Sequence, residues 1–88
     1  MRFETKAEAL WGNHRELVDI TLEKIGEEII LCEGEICSTA VMIYEGIRLR
    51  FTLPGGTAYI VRPEYWPAVS IGAMYRALGG IPNFHKCR

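Results

Sequence analysis

Two apolar rhythms alternate along the chain, one of helical period and one of strand period. Between Leu17 and Ile25 the spacing is helical. Leu17, Val18, Thr21, Leu22 and Ile25 form one stripe, leaving Arg15, Glu16, Asp19 and Glu23 for water. Thr5 with Glu8, and Asn13 with Glu16, have the capping-box spacing in which two side chains satisfy free donors at a helix start. The pattern predicts an N-terminal helix, kinked at Gly12-Asn13 or restarted there, and stopped by Gly26. From about Glu28 to Arg62 the residues are β-formers divided by Glu33-Gly34-Glu35, Glu45-Gly46 and Pro54-Gly55-Gly56. Strands are expected at Glu28–Cys32, Ile36–Tyr44, Ile47–Leu53 and Thr57–Arg62, joined as a meander. Pro67 suits the first position of a second helix, Ala68 to Leu78, which Gly79-Gly80 ends. The tail 81–88 carries Ile81 and Phe84 and is expected to dock. The fold class is therefore α+β: an N-terminal helix, an antiparallel β-meander of three to four strands, a C-terminal helix and a docked tail. All 88 residues form a single domain.

Strand alternation then sorts the side chains. With Glu45-Gly46 as a two-residue turn, Tyr44 opposes Ile47, Met42 opposes Leu49 and Ala40 opposes Phe51. Ala58 and Ile60 join that face as core under the helices. The opposite face carries Val41, Ile43, Arg48, Arg50, Tyr59 and Val61, which is more apolar than a face left to solvent. With Tyr65 and Trp66 at the entry to the last helix, these are the residue types that dominate protein interfaces. The plain alternative is that the arginine stems cover Val and Ile and nothing binds.

A formal net charge of −1 argues against a general polyanion binder and equally against an acidic nucleic-acid mimic. The alternating charges of the first ten residues are not those of a secretory signal, no apolar stretch is long enough to span a bilayer, and the cysteines are odd in number. Reduced thiols in a cytoplasm, the protein's own or a host cell's, are the expectation.

Cys32, Cys37, His85 and Cys87 make the one set with metal-ligand arithmetic. If Gly34-Glu35 is a two-residue turn, the first two sulfurs are cross-strand neighbours, and the tail supplies the rest of a Cys₃His site for structural zinc. The alternative is small core cysteines and ordinary tail residues. Catalysis has little support, because neither His14 nor His85 sits in a motif with a nucleophile or a carboxylate. The expected element order matches double-stranded-RNA-binding domains, but the lysine cluster that starts their last helix is replaced by Tyr65-Trp66-Pro67-Ala68. Glu45-Gly46-Ile47-Arg48-Leu49 and Tyr59-Ile60-Val61-Arg62-Pro63 resemble the SpoVG family of small DNA-binding regulators. That resemblance implies nucleic-acid binding and leaves the N-terminal segment unmatched.

The function expected is a non-enzymatic protein-interaction module that self-associates, as a homodimer or higher homo-oligomer, through the face bearing Val41, Ile43 and Val61. Small phage-type inhibitors of bacterial defence systems and adaptors share this size and plainness. The alternatives are a nucleic-acid or nucleotide-binding module using Arg48, Arg50 and Tyr59, and a zinc-stabilised small domain.

Overall fold

In the first ten residues the period that decides burial is two. Phe3, Thr5, Ala7 and Ala9 are buried while Glu4 and Lys6 are exposed. This corrects the expected N-terminal helix. The computed structural model, which describes residues 2–65 and 71–80, has two long strands there, β1 (Arg2–Trp11) and β2 (His14–Ile25). They pair antiparallel from Arg2↔Glu23 to Trp11↔His14. The helical stripe is split between faces. Leu22 is wholly buried, whereas Leu17 and Ile25 are 54% and 56% exposed. Thr5 caps no helix, and its hydroxyl donates to the Lys6 carbonyl. Gly12-Asn13 is the hairpin loop.

The same device recurs along the chain. The loops Gly12-Asn13, Gly26-Glu27, Gly34-Glu35 and Gly46-Ile47 each have two residues, with glycine first at φ 55, 62, 64 and 74°. None of the second residues has a positive φ. A positive φ at the first loop position alone is the type II′ pattern, whose twist matches that of the flanking strands. After β2 come β3 (Glu28–Glu33), β4 (Ile36–Glu45), β5 (Arg48–Thr52) and β6 (Ala58–Val61). β6 returns to β1 through Glu8↔Ile60, Ala9↔Tyr59 and Leu10↔Ala58, closing a six-stranded antiparallel barrel in chain order.

The interior is a stack of register partners. Ala9, Tyr59, Phe51 and Met42 follow one another around the wall. The methyl of Ala9 leaves room for the two rings, as a narrow barrel requires. Phe3, Leu22 and Leu31 make another course on the β1–β3 side.

The face assignment needs correction in one hairpin. Glu45 pairs with Arg48 rather than Tyr44 with Ile47, a shift of two that keeps Met42, Leu49 and Phe51 inside. The next loop has three residues, Pro54-Gly55-Gly56, closed by Leu53 N–H to Thr57 O at 2.9 Å and Gly56 N–H to Leu53 O at 2.9 Å. An odd loop reverses parity, so Tyr59 and Val61 face the core and Ala58 and Ile60 the outer wall. Ile60 is nonetheless only 1% exposed, with Glu8 and Arg50 as its register neighbours.

The chain leaves β6 through a 3₁₀ turn at Pro63–Tyr65 and enters α1 (Ile71–Ala77). α1 lies within the expected Ala68–Leu78 helix, of which residues 68–70 lie outside those described. Ile71, Met74 and Leu78 place α1 against the core. Gly79 N–H bonds Arg76 O at 3.0 Å and Gly80 N–H bonds Tyr75 O at 2.8 Å, a Schellman stop at the glycines expected to end the helix. A side chain on Gly80 would collide with the Tyr75 ring. Among the described residues no helix is long and apolar enough to cross a membrane.

Candidate functional site

β4 is laddered on one side at a time. Ile36–Ala40 pair with β3, Val41–Glu45 pair with β5, and among the described residues no β4 residue has ladder partners on both sides. Strand alternation sends Val41 and Ile43 outward, where they are 65% and 47% exposed. Ile36 at the start of the strand and Ile47 in the following turn are 79% and 73% exposed. One strand and its turn thus hold much of the exposed aliphatic surface among the described residues.

Glu45 organises the charges on that face. Its carboxylate accepts from Arg48 Nε at 2.9 Å through Oε1 and from Arg50 Nε at 2.9 Å through Oε2. The Arg50 hydrogen bond, opposed by partial burial and reinforced by Arg48, holds this carboxyl below the ordinary glutamate value. It stays ionised, so the two arginines are partly neutralised within their own hairpin. With Glu45↔Arg48 as the closing pair, cross-strand placement would have revealed this clamp. A turn at Glu45-Gly46, one residue earlier, hides the clamp because Glu45 then lies in the loop.

Of the residues expected on the binding face, Val41, Ile43, Arg48 and Arg50 are together. Val61 is fully buried and Tyr59 is 6% exposed, both on the core side, so neither lines that face. The Tyr59 hydroxyl donates to Glu33 Oε1 at 2.9 Å. Burial first, and then the Glu33 carboxylate, push this phenol up to about 12. Tyr65 is half-buried in the 3₁₀ turn, and Trp66 lies outside the described residues.

Cys32 and Cys37 are cross-strand partners as expected, and the structure joins them as a disulfide. That replaces the reduced thiols expected from the sequence: their Cα atoms are 4.0 Å apart, which brings the sulfurs into bonding range. Disulfide sulfurs are not the thiolates that zinc takes. The other two proposed ligands, His85 and Cys87, lie outside the described residues.

A groove of about 1070 Å³ runs beside β4. Its walls come from Thr39–Ile43, Lys24 and Glu27–Ile29 around the β2–β3 turn, Thr52–Pro54 at the end of β5, and the end of α1 at Tyr75 and Leu78–Gly80. Tyr44 and Tyr75 bring their rings to 5.1 Å, tying the strand to the helix. Comparison with known proteins finds no matching family model, no matching curated protein and no matching solved structure.

Proposed function

We propose that the protein is a non-enzymatic interaction module that self-associates through the outward face of β4 and β5. The observation carrying this reading is the run of exposed aliphatic side chains at Val41 and Ile43 on β4, a strand that is otherwise part of the barrel wall, and at Ile47 in the turn that follows it. Beside them Glu45, Arg48 and Arg50 offer both signs of charge. A twofold interface sets a patch against itself, so a patch with both signs suits a second copy. The same pairing weakens the nucleic-acid alternative, since Arg48 and Arg50 already meet a carboxylate and Tyr59 points inward. In this reading the chain works as a small inhibitor or adaptor, and its partners meet an assembled surface.

Val41→Glu places a carboxylate in each half of such an interface while altering no core contact. The variant is expected to fold with stability within about 0.5 kcal/mol of the parent. Its self-association should weaken by about 100-fold, equivalent to ~2.7 kcal/mol. Light scattering on both proteins checks this. Equal masses for parent and variant at every concentration would end the reading.

A further inference from the structure

The end of the β3–β4 hairpin is held to the rest of the barrel by few ties. β2 pairs with β3 no further toward the turn than Cys32, and β5 pairs with β4 no earlier than Val41. Among the described residues, Ile36–Ala40 therefore ladder with β3 alone, and the turn from Glu33 to Ile36 ladders with nothing outside the hairpin. Two side-chain ties act there, on opposite faces of the ribbon. On the core face Glu33 accepts from the Tyr59 hydroxyl at 2.9 Å. On the outer face the disulfide fastens Cys37 to Cys32, the last β3 residue that β2 holds.

The place of that bond suits reversible chemistry. Its two cysteines are 5 residues apart in the chain. A bond closing so short a loop restricts the unfolded chain little, so folding adds little to its resistance to reduction. Cys37 is exposed and Cys32 half-buried, so an incoming thiolate reaches Cys37 Sγ first. Attack forms a new S–S bond there, the protein bond breaks, and Cys32 leaves as a thiolate that takes up a proton. A second small-thiol thiolate attacks the sulfur of the bound thiol, and Cys37 leaves and is protonated in turn. The protein has then gained two electrons and two protons, and the small thiol is oxidised to its own disulfide.

We propose that the Cys32–Cys37 bond is a reversible redox switch for the hairpin end, set by low-molecular-weight thiols such as glutathione. Oxidised, the bond keeps Ile36 and Ser38 in the β3 ladder and Glu33 on Tyr59. Reduced, the ribbon parts from the turn back to Leu31↔Ser38, and Tyr59 loses its acceptor. Val41–Glu45 stay on β5 in both states. The switch therefore acts apart from the self-association face, and the inference goes beyond that reading.

The test uses the full chain with Cys87→Ser, which leaves this pair as its only cysteines. Mixtures of glutathione and its disulfide should interconvert the two forms with the barrel folded, read by thiol alkylation and mass spectrometry. Residues flanking a two-residue loop form a hydrogen-bonded pair, so Glu33 and Ile36 protect each other's amides. Reduction should speed exchange of these two amides by about tenfold or more and leave Val41 and Ile43 unchanged. Cys32→Ser with Cys37→Ser should reproduce the fast exchange without any thiol, and its Tyr59 should ionise below the value of about 12 that it has in the oxidised chain. A bond that stays oxidised in about 10 mM glutathione until the barrel unfolds overturns the proposal. Equal exchange at Glu33 and Ile36 in the two forms also overturns it. So does faster exchange at Val41 and Ile43 along with them, which would mean that the whole barrel opens. A monomeric parent protein would count against self-association alone, because each of these measurements remains readable.

Discussion

At Tyr59 a single loop residue decides which way an aromatic side chain points. Because Pro54-Gly55-Gly56 holds three residues, Tyr59 enters the barrel beside Ala9 and Phe51 and reaches Glu33 with its hydroxyl. Removing that hydroxyl with Tyr59→Phe should cost about 1 kcal/mol, read by urea denaturation, since Glu33 loses its donor. The linkage to pH has a definite sign. The phenol titrates at about 12 in the folded chain, above its ordinary value of 10.0. The unfolded chain therefore releases this proton first, and stability falls as pH rises from 10.0 toward about 12. Tyr59→Phe should flatten that decline. An unchanged alkaline slope in the variant would show that another group is responsible.

Among the elements, the hairpins show how much could be read and why the rest could not. Strand existence from Glu28 to Arg62 was legible because β-branched and aromatic residues lie between turn signals. The Cys32↔Cys37 pairing and the helix stop at Gly79-Gly80 were legible as well. The first 25 residues were not. Thr5, Glu8 and Glu16 satisfy helix-cap spacing and strand alternation alike, Asn13 suits a helix cap and a hairpin loop alike, and short alanines at positions 7 and 9 give little apolar signal although they line the barrel. Closure of the barrel by β6 on β1 is a non-local event that local pattern does not announce. The signal that could have shown the hairpins is the repeated glycine at the first place of a two-residue loop. Gly12→Ala meets no atom within 4 Å, so its penalty is purely conformational. Thermal denaturation should show a loss of about 1–2 kcal/mol. The disulfide pins the start of β4. Its short loop implies that reduction costs about 2 kcal/mol. A calorimetric scan with a phosphine reductant should then show a melting temperature lower by roughly 10 °C. No shift would mean that the β3–β4 hairpin holds without the bond.

Across the whole molecule, closing six strands into a barrel leaves one strand with divided loyalties. β4 passes from the β3 ladder to the β5 ladder and carries an outward aliphatic face at Val41 and Ile43. A formal net charge of −1 leaves little overall repulsion between copies. Sedimentation equilibrium of the unmodified protein across a wide concentration range tests the central claim most directly. Self-association through β4 predicts an average mass that rises with concentration from that of one chain toward that of two. A constant single-chain mass up to the highest concentration reached would contradict it.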